Sequence, residues 1–305
     1  MSALFSIIIV NWNAVDLLIR CVSSIYDKNN STDFEIIVVD NFSEDESIHA
    51  LAKKFPDVKI VVNSSNIGYA AACNRGARIA AGEFLLFMNN DTMMMSDSPL
   101  MQMKQIFETH KRVGVVGGAL ILPNGHVQTV GRYFLNLRRL VLQQLFFIKS
   151  TTINNAGRTG IVAVDYVDGA FLCCRRCVLQ DIGFWDEHYF MFAEDMDLCW
   201  RALAANWRTV VSPEIRIQHE HGASVKKVLP RMIVQSIYSN SRFIEEAYGP
   251  VHRFFARILY LVGLCLRIPL AITRPDKKAG DYFHAIFQLL GFEQHVHKAK
   301  NLSNR

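Results

Sequence analysis

Four short stretches bring acids, amides or imidazoles to the ends of apolar runs. In Glu83-Phe-Leu-Leu-Phe-Met-Asn-Asn-Asp91, five consecutive apolar residues, Phe84 to Met88, lead directly into Asn89, Asn90 and Asp91. An unbroken apolar run of this length suits a strand covered on both faces, and in open α/β sheets ligands gather beyond the carboxyl ends of the strands. A carboxylate delivered there offers the oxygen that a hard divalent cation, Mg²⁺ or Mn²⁺, requires, and such ions complete their shell with substrate phosphate. Asn89 and Asn90 are placed to orient hydroxyls or phosphates. The competing reading is a polar turn after a strand.

The second stretch, Val164 to Cys174, reads as a strand interrupted by a polar turn at Asp168-Gly169. In the third, Glu194, Asp195 and Asp197 put three acids within four positions, close to Phe190, Phe192 and Trp200. If Glu194 opens a helix, Asp195 and Asp197 face different ways and need not share a role. An aspartate held among aromatics is partly dehydrated, so it keeps a proton to higher pH and suits general-base work. Acids in a first helical turn are also favoured by the helix dipole alone. Arg201 either binds substrate or balances these charges. The fourth stretch, His219-Glu-His221-Gly222-Ala-Ser224, offers His219 as a partner for Asp91 on a metal, or is simply a polar loop.

These groups need elements to position them. Ser6 to Val10 is β-branched and ends at Asn11-Trp12-Asn13, and Asp16 to Tyr26 then carries apolar residues at helical spacing. Phe34 to Val39 repeats the strand and ends at Asp40-Asn41, with Ser43 expected to cap a helix running to Phe55. Val58 to Val62 is a third strand, Asn66-Ile-Gly68 opens an alanine-rich helix over 69–81, and Phe84 to Met88 is the fourth strand. Such alternation calls for right-handed crossovers and a mostly parallel sheet, so the strand ends face one crevice. Asn11, Asn13, Asp40, Asn66, Asn74, Asn89, Asn90 and Asp91 are expected to line it. That mouth fits a nucleotide, with Asp40 accepting from a base or ribose and the start of the 69–81 helix facing phosphate. No G-x-G-x-x-G follows the first strand and no G-x-x-x-x-G-K-[ST] occurs, which removes the main support for dinucleotide and P-loop readings.

Pro99 to His110 reads as a helix, Val113 to Gly117 as a strand and Pro123-Asn-Gly125 as a turn. Arg132 to Lys149 is either an amphipathic segment or an exposed loop, and 150–160 a flexible connection. With half of its 305 residues hydrophobic, the chain can bury a large core. Its charge is uneven: residues 226–305 carry thirteen Lys/Arg against five Asp/Glu, whereas the body is mildly acidic. A basic, apolar tail points to an anionic membrane surface and not to nucleic acid. Ile258 to Leu266 is bracketed by Arg253, Arg257 and Arg267 and falls short of the run that a membrane span needs, so the tail is expected to lie on a membrane or pack on the body. Seven cysteines, mostly among apolar residues, fit a reduced compartment, and Leu4 to Val10 reads as a first strand, not a signal peptide.

Taken together, Ile-Ile-Val-Asn-Trp-Asn at 8–13, Val-Val-Asp-Asn at 38–41, Asn66-x-Gly68-x-Ala-x-Ala-x-Asn74-x-Gly76, Asn89-Asn-Asp91, Asp168-Gly-Ala170, Glu194-Asp-x-Asp-Leu-Cys-Trp-Arg201 and His219-x-x-Gly-x-Ser224 occur in a characteristic order. The ordered set resembles the inverting family-2 glycosyltransferases, particularly the rhamnosyltransferase-like branch that builds bacterial surface polysaccharides. The resemblance covers roughly residues 1–225 and implies an α/β GT-A catalytic domain with a helical tail at 226–305.

It further implies a nucleoside-diphosphate sugar donor, a lipid-linked saccharide acceptor, a divalent metal at Asp91 with His219, and Asp195 as catalytic base. Asn11, Asn13, Asp40, Asn66, Gly68, Asn74, Asn89, Asn90, Asp168, Gly169, Glu194 and Arg201 are the substrate-side residues. The family's Asp-x-Asp reads Asn-Asn-Asp here, which leaves one acid of the usual pair. The Gln-x-x-Arg-Trp signature of processive members is missing after Asp195, which implies one sugar per encounter. The location implied is cytoplasmic, peripheral on the inner face of the cell membrane. Two other classes stand beside this: a non-catalytic sugar-nucleotide-binding scaffold, and a sugar-phosphate nucleotidylyltransferase, for which a Gly-rich, Lys-containing loop after the first strand is lacking.

Overall fold

Runs of β-branched and aromatic residues with no polar interruption become strands buried on both faces, and the polar residues that end them become loops at one edge. The computed structural model describes residues 3–29, 32–153, 159–220, 229–272 and 279–291. The chain opens with β1 (Phe5–Asn11), α1 (Val15–Lys28), β2 (Phe34–Asp40), α2 (Ser47–Lys54), β3 (Lys59–Val62), α3 (Tyr69–Ile79) and β4 (Phe84–Asn89). It continues through β5 (Thr92–Met94), α4 (Pro99–Thr109), β6 (Val113–Ile121), β7 (Val127–Thr129), β8 (Gly131–Arg132), α5 (Leu137–Leu145), β9 (Thr152–Ile153) and β10 (Val162–Val164). Then come β11 (Phe171–Arg175), α6 (Arg176–Ile182), α7 (Glu194–Ala204), β12 (Arg208–His219), α8 (Leu229–Tyr248), α9 (Pro250–Ile272) and α10 (Ala279–Gly291).

The main sheet runs β10-β12-β6-β11-β4-β1-β2-β3, with β5 added to β12 and β7 to β6. β1 pairs in parallel with β2 and β4, β2 with β3, and β6 with β12. β11 runs antiparallel to both β4 and β6. That reversal matters for function, because the residues that enter β11 stand at the edge where the parallel strands end. The Asp168-Gly169 turn therefore shares an edge with Asn11, Asp40 and Asn89.

The core is built from the strand faces and the helices laid on them. α1 buries Leu18, Cys21, Val22 and Ile25, the spacing that one helix face presents. Phe84 stacks on Phe107 of α4, with ring centroids 4.6 Å apart. In α3 the small residues permit close approach: a Cβ on Gly76 would stand 2.5 Å from Ile8 Cγ2.

The structure departs from the sequence expectations in several places. α2 begins at Ser47, later than a Ser43 cap requires, because the Ser43 hydroxyl donates to Asp40 Oδ1 instead. The segment 132–149 holds both strand β8 and helix α5, with the Asn136 side chain capping α5 by accepting from Arg139 N. β9 forms within the stretch expected to be a plain connection.

Two compact units are present: Met1–Tyr133, Thr152–Phe190 and Glu194–Ala223 form one, and Phe134–Thr151, Met191–Ala193 and Ser224–Arg305 the other. The second unit thus draws in 134–151 and 191–193, segments that the sequence assigned to the body. In this unit α9 buries Ala256, Tyr260 and Leu264 and exposes Phe254, Phe255, Ile258, Val262, Leu266 and Leu270. α9 is also a correction, since Pro250–Ala271 is long and apolar enough, by length and composition, to cross a membrane.

Candidate active site

The register of β5 on β12 joins residues up to 127 positions apart. Thr92 pairs with His219, and Glu220 N donates to Asp91 O, which sets the two side chains face to face. His219 Nε2 stands 3.4 Å from Asp91 Oδ1. On the other side of the ring, Nδ1 and Gln128 Oε1 are 2.9 Å apart. An amide oxygen only accepts, so this contact places the proton on Nδ1 and turns a lone pair at Nε2 toward the carboxylate. Asp91 Oδ1 is buried and has no hydrogen-bond partner among the described residues. Two acceptors facing each other in a shielded place suit a cation between them, and an O/N donor set of this kind takes Mg²⁺ or Mn²⁺. Among the described residues no third His, Cys, Asp or Glu joins them.

The catalytic-base candidate lies along the same edge. Asn89 N donates to Ala170 O at 3.1 Å, tying the loop before Asp91 to the turn before β11. Gly169 N donates to Asp195 Oδ2 and Met196 N to Asp195 Oδ1, both at 2.8 Å. Tyr69 donates its hydroxyl to Gly169 O at 2.7 Å, so Gly169 is held at both its N–H and its C=O. Loss of hydration and the neighbouring Asp168 carboxylate push the Asp195 carboxyl up to about 6, against the opposing pull of its two amide donors and of Arg132. Glu194 is buried and rises well above the ordinary carboxylate range, first through burial and then through Asp195.

At the ends of β1 and β2 the polar residues interlock. Asn11 Nδ2 donates to Asp40 Oδ1 at 3.0 Å and to Ser47 Oγ at 2.9 Å, while Asn11 Oδ1 accepts from Asn90 Nδ2. Asp40 Oδ2 accepts from Ser43 N, and Asn13 Oδ1 accepts from Glu44 N. Asn66 Oδ1 accepts from Asn41 Nδ2 and Gly68 N. Asn11, Asp40 and Asn90 are therefore brought together as a buried network that shapes the mouth, with Asn13 exposed beside it.

Three sequence expectations need correction. Asn74 does not offer its amide to the mouth: Nδ2 donates to Trp185 O and Glu187 Oε1, and Oδ1 accepts from Trp185 N. Arg201 balances Asp197, with Nε and Nη2 on Asp197 Oδ2 and Nη1 on the carbonyls of Ile182 and Phe184, contacts that occupy four of its five N–H groups. The first amide of α3 does not await phosphate either, because Tyr69 N donates to Phe190 O. Gly68 permits that approach: its φ is +87°, and a Cβ there would stand 2.6 Å from the same carbonyl.

Ser224 and the rest of its motif beyond Glu220 lie outside the described residues. Arg132, Gln128 and Tyr69 were missed. Arg132 and Gln128 belong to no local motif, whereas Tyr69, an aromatic directly after Gly68 at the head of an alanine-rich helix, was legible.

Residues 6–167 match the family model "Glycosyl transferase family 2". The O-antigen biosynthesis protein RfbC of Myxococcus xanthus is 28% identical over 231 residues, 72% of this chain but only 17% of that protein's length. An N-acetylglucosaminyl-diphospho-decaprenol L-rhamnosyltransferase of Mycobacterium tuberculosis is 26% identical over 207 residues, covering 62% of this chain and 67% of that one. Among solved structures, a mannosyltransferase of Pyrobaculum calidifontis in complex with GDP-Man and Mn²⁺ superposes with a TM-score of 0.57 at 16% identity, over 95% of this chain and 88% of that chain.

Proposed function

The chain belongs to glycosyl transferase family 2, its rhamnosyltransferase-like branch with a GT-A fold, and from that premise we propose an inverting, non-processive transferase for surface polysaccharide. Its donor is a nucleoside-diphosphate deoxyhexose, rhamnose foremost, and its acceptor a hydroxyl of a lipid-linked saccharide. The observation that carries this reading is a shared edge: a base candidate held by two backbone amides and a carboxylate–imidazole pair stand on loops joined by the Asn89 N to Ala170 O bond.

Asp195 takes the proton of the acceptor hydroxyl as its oxygen attacks the anomeric carbon. The bond from that carbon to the diphosphate oxygen breaks, its electron pair leaves with the nucleoside diphosphate, and the new bond forms on the opposite face. No covalent enzyme intermediate is needed. The Asn11–Asp40–Asn90 network fixes the loops that receive the nucleoside, and Glu194 lies next to the base. Asp91 and His219 would hold a Mg²⁺ or Mn²⁺, which supplies positive charge against the diphosphate oxygens. The exposed apolar side of α9 and the basic tail support work at the inner face of the cell membrane, where a lipid-linked acceptor resides.

Incubation with a panel of nucleotide sugars and a lipid-linked acceptor tests the reading by release of nucleoside diphosphate and the anomeric configuration of the product. Absence of acceptor-dependent release across the panel would remove the transferase assignment, and retained configuration would remove inversion.

A further inference from the structure

Arg132 reaches the base through one intermediate. Its Nε donates to Asp168 Oδ1 at 2.7 Å, and the next peptide, at Gly169, donates to Asp195 Oδ2. Asp168 and Asp195 thus flank a single peptide unit. Asp168 Oδ2 is buried and has no hydrogen-bond partner in the protein. Two carboxylates gathered in a shielded place tend to retain one proton between them, since both cannot ionise cheaply. A base that retains that proton cannot accept another from the acceptor.

The backbone holds the guanidinium where it can oppose this. Arg132 N donates to Tyr166 O at 3.0 Å, and the amides of Tyr166 and Asp165 both donate to Arg132 O. Pairing of Arg132 with Thr152 across β8 and β9 fixes the other side, and Nη1 reaches Thr152 Oγ1 at 3.4 Å. This is a preorganised cation, unlike a surface arginine that must give up side-chain freedom to pair.

The groups that act on Asp195 are Glu194 and Cys199 of α7, Tyr69 of α3, Tyr166 and Asp168 between β10 and β11, and Arg132 of β8. Among these described residues Arg132 alone is positive.

We propose that Arg132 is a positioning residue for the base, its charge set against that of Asp168 so that Asp195 stays free of a trapped proton near neutral pH. The proposal rests on Asp195 being the base of the reaction above. It acts through Asp168, so its signature is a pH profile and not a uniform loss.

The test compares Arg132→Met, Arg132→Lys and Asp168→Asn in the full chain. Each is measured as kcat/KM against pH and, without substrate, as the titration of ¹³C-labelled aspartate carboxyls, with Asp195→Asn assigning the resonance. Removing a nearby opposite charge moves a carboxyl by about one unit or more. In Arg132→Met the acid limb and the Asp195 titration should both rise by about one unit, so the variant is about tenfold slower below the limb and recovers at alkaline pH. Arg132→Lys should keep both near their wild-type positions. Asp168→Asn should move both down, since it removes the repulsion. A loss that is the same at every pH in the Met and Lys variants, with the titration unmoved, overturns the proposal. If wild type transfers no sugar yet the titration shifts in these opposite senses, the charge relation stands and the transferase reading fails. Should Arg132→Met not fold, the Lys and Asn variants still decide, because the limb must hold in one and fall in the other.

Discussion

His219 Nε2 lies 3.4 Å from Asp91 Oδ1, too long for a good hydrogen bond, although the side chains are only 7% and 12% exposed. A buried acceptor with no partner has an energetic cost, which a ligand can relieve. The pair would accommodate the divalent ion proposed above.

From this it follows that Mn²⁺ should tighten nucleoside-diphosphate binding in wild type, and that Asp91→Ala and His219→Ala should each remove most of that gain while binding in chelator changes little. Calorimetric titration with and without metal makes the comparison. Equal losses under both conditions would take these residues out of a metal site. Gln128→Leu should act in the same direction but more weakly, by about tenfold in metal affinity, because it only frees the ring that it orients.

As the proposed base Asp195 would work when deprotonated, so kcat/KM should fall as pH drops through about 6, the value to which burial and Asp168 raise its carboxyl. Asp195→Asn should lower turnover by roughly 10²–10⁴-fold while leaving nucleotide-sugar binding nearly intact. Stability should respond in the opposite sense to that of an ion-paired carboxylate. A carboxyl raised in the folded state holds its proton to higher pH than in the unfolded chain, so its contribution is fully present below the unfolded value of about 4 and is lost as pH rises through about 6. The melting temperature of Asp195→Asn should therefore decline less than that of wild type between pH 5 and 8, and an identical slope would argue against a raised carboxyl.

Asn74 exchanges two hydrogen bonds with the Trp185 backbone, and all three of the groups involved are buried. Asn74→Ala leaves that peptide N–H and C=O unmet, at a cost of about 1–3 kcal/mol for each group that finds no water. The loss should appear as a lower denaturant midpoint with KM for the donor little changed. A raised KM at unchanged stability would instead return Asn74 to the substrate side.

The fold was legible because Phe84 to Met88 and Ser6 to Val10 are unbroken apolar runs, and their polar ends, Asn89 to Asp91 and Asn11 to Asn13, fall at one sheet edge. The pairing of Asp91 with His219 could be offered from residue type only beside a polar-loop reading, since register between distant strands leaves no local trace. Arg201 was ambiguous because an i, i+4 ion pair and a substrate contact have the same sequence signature. Arg132 stayed hidden because its partner is fixed by the bridge to Tyr166, not by any spacing. The extent of α9 was underestimated for a different reason. Arginines at 253, 257 and 267 interrupt the apolar run in sequence, but a helix sorts them away from its apolar stripe.

That sorting motivates the last prediction. Phe254, Ile258, Val262 and Leu266 recur at every fourth position, so with Phe255 and Leu270 they form one exposed stripe, and Phe254 is 62% exposed. No Asp or Glu occurs between Glu246 and Asp276, whereas Arg253, Arg257, Arg267 and Arg274 do. An exposed apolar face on a helix that itself carries no acid suits an anionic lipid surface, although Arg253 is paired with Glu245. Ala256, Tyr260 and Leu264 are buried on the other side, so the helix has one protein face and one free face, which suits lying in the interface better than crossing the bilayer. An exposed arginine such as Arg257 near such a surface contributes about 1 kcal/mol, and burial of the stripe adds a term that salt does not screen. Full-length protein should therefore sediment with phosphatidylglycerol-containing vesicles, bind less to pure phosphatidylcholine, loosen only in part at high salt and come free in carbonate. Ile258→Ser with Val262→Ser should weaken binding to both vesicle types, whereas Arg257→Glu should weaken only the anionic one. Sedimentation with neither vesicle would leave the stripe without a lipid role, and resistance to carbonate would make α9 a span.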